Sequence, residues 1–157
     1  MRYDQRFSNI RLRIEYVSPS VLVAAKHNPR VHGVRQIKAL AKSIDAFGFV
    51  APVIADENDV LIAGDARVEA AKRVGLAEVP VVRVEHLDEH QKRALMIADN
   101  RLTDMSSWDD ALLAENLRLL AEVELNSTSR RRALPWARSI CASRALNRCR
   151  MMTPTMP

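Results

Sequence analysis

Residues 60–75 read Val-Leu-Ile-Ala-Gly-Asp-Ala-Arg-Val-Glu-Ala-Ala-Lys-Arg-Val-Gly. Residues 60–63 form an unbroken apolar run, and after Gly64 the residues Val68, Ala71 and Val74 recur at helical spacing until Gly75. The pattern predicts a strand that turns directly into a helix. Gly64 has no Cβ to restrict φ and so admits the tight turn. Asp65 suits an N-cap or a first-turn carboxylate, and Gly75 suits the helix stop. Such a junction aims free backbone N–H groups, with Arg67 close by, at the space above the helix N-terminus, where an anion is the natural occupant. Taken alone, the same residues also describe a capped turn carrying a surface arginine of small energetic value.

The remaining periodicities build a layered fold around this junction. Residues 11–17 alternate polar and apolar, as in a half-buried strand. Ser18-Pro19 is an N-cap and N1 pair that starts a short helical turn through residue 23, and Pro29 keeps Asn28 out of the α region, in a loop. Val34, Ile37, Leu40, Ala41, Ile44 and Phe47 share one helical face that Gly48 ends. Residues 52–55 and 60–63 flank a hairpin loop at 56–59. Residues 79–84 read as a further strand, with Pro80 near a sheet edge or at the strand's beginning. Residues 88–102 are helical, with Asp88 and Gln91 at capping-box spacing. Ser107 is placed to cap a last helix from residue 108 to about 124, with Trp108, Leu112, Leu113, Leu117 and Leu120 on its buried side or forming a docking face. The fold class is α/β: a mixed sheet with flanking helices. His27, His32, His86 and His90 read as solvated, and the i, i+4 pair His86 and His90 has no evident third ligand.

Charge divides the chain in two. Residues 1–125 carry 17 Lys/Arg against 19 Asp/Glu, a net −2, whereas residues 126–157 carry 7 Arg and no acid. The overall +5 therefore belongs to the tail. Basicity alone then gives no nucleic-acid stripe on the body. Both cysteines, Cys141 and Cys149, also lie in the tail, so residues 1–125 have no thiol nucleophile and no cysteine zinc site. No run approaches the roughly 20 apolar residues of a membrane span, and no signal-peptide core precedes the domain. A cytoplasmic protein without membrane contact is expected. The organisation expected is a disordered segment 1–9, a domain over 10–104, a helix or linker over 105–125, and a disordered basic tail over 126–157. The abrupt loss of every acid leads to the hypothesis that the reading frame shifts near residue 125. In the alternative frame Trp136-Ala137 forces a glycine, and the tail decodes as an acidic amphipathic stretch. Resequencing the locus tests this, and an intact frame encoding a well-folded tail contradicts it.

Several spaced motifs together resemble one family. Asn28-Pro29-Arg30, the Ile37, Leu40, Ala41, Ser43, Ile44 and Gly48 series with Pro52-Val53, the Gly64-Asp65-Ala66-Arg67 turn with Ala70-Ala71, then Gly75 and Val79-Pro80, follow the order of the ParB/sulfiredoxin-like domain. This is the ParB N-terminal, or ParB-like nuclease, domain. The resemblance spans residues 14–102. The continuation Ile97-Ala98-Asp99-Asn100-Arg101-Leu102 and Trp108-Asp109-Asp110 is similar to a subgroup found in phages and ahead of DNA methyltransferase domains.

The resemblance implies a nucleotide-binding, DNA-associated regulatory module, the N-terminal part of a methyltransferase or partition-type protein. DNA contact would come through a fused or partner domain, and a homodimer is a possible assembly. In the family a Gly-Glu-Arg-Arg segment binds cytidine triphosphate (CTP). Here Gly64 supplies the turn, Asp65 replaces the acid, Ala66 replaces the first arginine and Arg67 matches the second. Loss of that cation argues against triphosphate hydrolysis. The family's metal-holding Glu-Asn pair is similar to Asp99-Asn100, oxygen ligands suited to Mg²⁺, and Thr103 falls near the place of a following arginine. Asn28 and Arg30 complete the expected pocket. In sulfiredoxins the acid position is a catalytic cysteine, whose sulfur chemistry Asp65 cannot perform. The alternatives are a triphosphate hydrolase or nuclease-like enzyme using Asp65, and an interaction scaffold with a vestigial pocket. Nothing in residues 1–157 forms a methyltransferase cofactor loop.

Overall fold

Short β-branched and alanine-rich segments pair into a four-stranded mixed sheet in the order β1-β4-β2-β3. The computed structural model describes residues 10–126. The expectations of a disordered N-terminus and of a disordered or frame-shifted tail fall on residues 1–9 and 127–157, outside the described residues. β1 (Ile14–Val17) runs antiparallel to β4 (Val79–Arg83), β4 runs parallel to β2 (Val53–Ala55), and β2 runs antiparallel to β3 (Leu61–Ala63). With the helices beside it, this sheet is the α/β fold expected from the periodicities. The β2–β3 hairpin is closed by Asp56, whose Oδ1 accepts the N–H groups of Asn58 and Val60 at 2.9 and 2.8 Å.

Period-two alternation sends successive strand residues to opposite layers. Val53, Ala55, Leu61, Val79 and Val81 meet Val68 and Ala71 of α2 (Asp65–Val74) on one face. Val53, Val79 and Val81 are fully buried, and each contributes about 1.5–3 kcal/mol relative to exposure. α1 (Val34–Phe47) packs through Ile37 and Ile44 on Ala70, on another side of α2. On the opposite sheet face, Ile62 and Val84 meet Met96 of α3 (Glu89–Asp104), with Ile54 partly buried against them. α2 is thus held between the sheet and α1, which fixes the direction of its N-terminus. Asp88 and Gln91 make both bonds of the capping box, at 2.8 and 3.0 Å.

Three expectations are corrected, and a fourth is narrowed. The first strand begins at Ile14 rather than residue 11, and it is not half-buried. Ile14 and Tyr16 are 56% and 66% exposed, because β1 is an edge strand and only Val17 reaches the core cluster. Of the two places expected for Pro80, the structure takes the strand's beginning: the strand is interior, Pro80 lies opposite Tyr16, and the pairing with β2 starts one residue later at Val81. The Ser18-Pro19 turn closes at Val21, and Val23 instead bridges Val60 beside β3. The last helix, α4 (Asp110–Asn126), is capped by Asp109 rather than Ser107: the Asp109 Oδ1 accepts the N–H groups of Ala111 and Leu112, both at 3.0 Å. Trp108, Leu112 and Leu120 are exposed, and Leu113 and Leu117 are half-buried. Leucine spacing marks an amphipathic helix, but it does not say what the apolar face meets.

Candidate functional site

The β3–α2 junction is a backbone corner that only glycine fits. Gly64 has φ 105° and ψ 18°. A Cβ built there lies 2.6 Å from Val53 Cγ1 and 3.1 Å from an Arg67 terminal nitrogen. The Gly64 carbonyl accepts the N–H groups of Arg67 and Val68 at 2.9 and 3.1 Å. The N–H groups of Asp65 and Ala66 have no carbonyl one turn earlier in the helix and face out from its positive end.

Asp65 is a first-turn residue, and its side chain does not cap the helix. Its Oδ2 instead accepts Asn28 Nδ2 at 2.9 Å. Asn28 Oδ1 accepts the Arg30 N–H at 3.0 Å, a side-chain turn made rigid by Pro29. This straps the 28–30 loop to α2. Arg30 then reaches across to α3, its Nη1 donating to Asp104 Oδ2 at 2.7 Å and to the Asn100 carbonyl at 3.4 Å.

Arg67 is not a free surface cation. Its Nη1 donates to the carbonyls of Ala51 and Pro52 at 2.5 and 2.7 Å. Burial holds its pKa below the ordinary arginine value, and the Asp99 carboxylate acts in the opposite direction. Arg67 therefore props the start of β2 while keeping its charge beside the cleft. Asn100 Nδ2 donates to the Met96 carbonyl at 2.9 Å, so its side-chain oxygen is left without a partner among the described residues. Thr103 Oγ1 donates to the Asp99 carbonyl at 3.0 Å.

Arg30, Gly64, Asp65, Ala66, Arg67, Asp99 and Asn100 line one cleft of about 220 Å³. Asn28 stands behind it, positioning Asp65. Loop, helix N-terminus and α3 thus bring together what the sequence separates by some 70 residues. The cleft also takes in His32, read from sequence as solvated; its Nδ1 lies 3.2 Å from Gln36 Oε1. His32 had no signal beyond its closeness to the Asn28-Pro29-Arg30 turn. Asp104 was missed entirely, since nothing in its spacing links it to Arg30.

A second polar cluster lies outside the cleft and went unread in the sequence. Lys92 of α3 is 6% exposed, with its Nζ 3.4 Å from Asp56, 3.0 Å from Glu57 and 3.0 Å from Glu89. The bond to Glu89 first, then those to Glu57 and Asp56, raise the Lys92 pKa against the effect of burial. The ammonium ties the β2–β3 hairpin to α3.

An α/β domain with a glycine corner that leads from a strand straight into a helix N-terminus is the class these features define. Residues 4–101 match the family model described as the ParB N-terminal domain, and the chain belongs to that family. It is 37% identical over 83 residues to the ParB-like nuclease domain-containing protein YnaK of Escherichia coli K12, covering 53% of this chain and 95% of that protein. It is 35% identical over 104 residues to the probable chromosome-partitioning protein ParB of Treponema pallidum, covering 63% of this chain and 32% of that one. The chain thus spans about a third of that partitioning relative. Among solved structures, it shares its fold with the C-terminally truncated ParB of Caulobacter crescentus complexed with CTP-gamma-S. The TM-score is 0.58 at 23% identity, over 68% of this chain and 60% of that one.

Proposed function

We propose that this chain is a nucleotide-binding, DNA-associated regulatory module, with the phosphate chain of a nucleoside triphosphate, CTP foremost, seated over the N-terminus of α2. The observation that carries the reading is the convergence of the outward N–H groups of α2, Arg30 and Arg67 on one cleft. The CTP-gamma-S bound to the Caulobacter crescentus relative supports the choice of nucleotide.

Among the described residues no three His, Cys, Asp or Glu side chains gather as a metal cage. Asp99 and the side-chain oxygen of Asn100, without a partner among the described residues, are hard oxygen donors on the cleft wall. They fit a Mg²⁺ that takes its remaining ligands from phosphate and water. Bound there, the metal would offset phosphate charge. Ala66 adds no cation to the cleft, so the site reads as one for binding rather than for hydrolysis.

DNA association is assigned to a fused or partner domain, of which a methyltransferase domain is the candidate, because residues 1–125 carry a net −2. Calorimetric titration with CTP, ATP, GTP and UTP in Mg²⁺ tests the reading. Saturable binding, weakened in Arg30→Ala, is expected; no heat with any nucleotide contradicts it. The name of the Escherichia coli relative raises a nuclease reading. Metal-dependent cleavage of DNA or RNA, lost in Asp65→Asn, would favour it instead.

A further inference from the structure

Arg30 brings a guanidinium to the cleft, and an anion of the protein already occupies it. Its Nη1 sits 2.7 Å from Asp104 Oδ2, with the two side chains 32% and 42% exposed. Two observations separate this contact from simple anchoring of the loop. The 28–30 loop is already held by the Asn28–Asp65 bond and by its own side-chain turn. Asp104 also ends α3, where the negative end of the helix dipole disfavours a carboxylate. Its position is compensated by Arg30 rather than by the helix.

We propose that Asp104 is an affinity-setting residue, a resident anion that a bound phosphate must displace from Arg30. The inference rests on the nucleotide reading of the same cleft. Arg67 does not duplicate Arg30, because its Nη1 is committed to the carbonyls of Ala51 and Pro52, which leaves only the rest of its guanidinium for a ligand. With Asp104 in place, two guanidinium groups face the three carboxylates of Asp65, Asp99 and Asp104. The surround then holds one carboxylate more than it holds guanidinium groups, so an anion competes for Arg30 best when its own metal offsets part of its charge. An ion pair this exposed is weak, so a ligand displaces it readily and the effect on affinity is a few-fold.

A double-mutant cycle tests the proposal. Binding of CTP and of inorganic triphosphate, each with Mg²⁺, is measured by calorimetry for the full chain, Asp104→Asn, Arg30→Ala and the double variant, with melting curves confirming that each folds. Asp104→Asn is expected to tighten both ligands by about three- to fivefold, and the gain is expected to vanish in the Arg30→Ala background. Wild-type binding with no gain in Asp104→Asn overturns this inference alone. So does an equal gain without Arg30, which would be general charge removal. Failure of every variant to bind either ligand overturns the nucleotide reading and this inference with it.

Discussion

Arg30 and Arg67 both line the cleft, yet their partners give them different tasks. Arg67 satisfies two backbone carbonyls at the start of β2. Removing it leaves them short of a donor, so Arg67→Ala is expected to cost about 1–3 kcal/mol in urea denaturation. Arg30 makes an exposed ion pair, and Arg30→Ala is expected to leave stability within about 1 kcal/mol while weakening nucleotide binding. A loss of nucleotide affinity in Arg67→Ala alone is therefore ambiguous, and Arg30→Ala is the cleaner probe. Gly64 is constrained twice, by its positive φ and by Val53 at 2.6 Å from a built Cβ. Gly64→Ala is expected to destabilise the fold by about 2–4 kcal/mol; an unchanged denaturation midpoint would contradict the corner geometry. The glycine was legible because strand, glycine and helix stand side by side in sequence. The tasks of the arginines were not, because their acceptors lie 15–16 residues away for Arg67 and 70–74 residues away for Arg30.

Element by element, the buried cation Lys92 ties two parts of the described fold together, while α4 shows a largely exposed apolar face. Lys92 holds the β2–β3 hairpin to α3 through Asp56, itself buried. Lys92→Met is expected to cost roughly 2–4 kcal/mol, somewhat below a fully buried pair because Glu57 and Glu89 are exposed to solvent. The pH dependence follows from the same bonds. Glu57 has its pKa lowered by a backbone hydrogen bond and then by Lys92. Its contribution is present above its ordinary 4.5 and is lost as pH falls through the lower folded value. Lys92 has its pKa raised, so its contribution is complete below its ordinary 10.5 and is lost only as pH rises through the higher folded value. Stability is therefore expected to hold flat from about pH 5 to pH 10 and to fall in acid, with a smaller acid loss in Lys92→Met. Melting curves across that range check it. Among the described residues, no α4 side chain joins any of the three core clusters, so truncation after Ser106 is expected to leave Tm unchanged; a large drop would show that the exposed leucine face has a partner.

At the scale of the whole molecule, local signals carried the architecture and long-range pairing carried the site. The apolar runs at 52–55 and 60–63, Gly48, Gly64 and Gly75, and the Asp88–Gln91 box each act within a few residues, and each is realised in the structure. Sheet order, the exposure of β1, the interior place of Pro80 and the Arg30–Asp104 pair depend on contacts between distant segments, which periodicity does not encode. The near-neutral body leads to a further expectation: residues 1–125 alone show little salt-dependent DNA binding. Affinity falling steeply with salt would contradict it. The central claim is that a nucleotide's phosphates rest on the N-terminus of α2, and a crystal structure of the chain grown with CTP and Mg²⁺ tests it most directly. The expected result is phosphate density within hydrogen-bond reach of the Asp65 and Ala66 N–H groups, with Arg30 turned from Asp104 to the ligand. Density at another surface, or an empty cleft at saturating CTP, would contradict the claim.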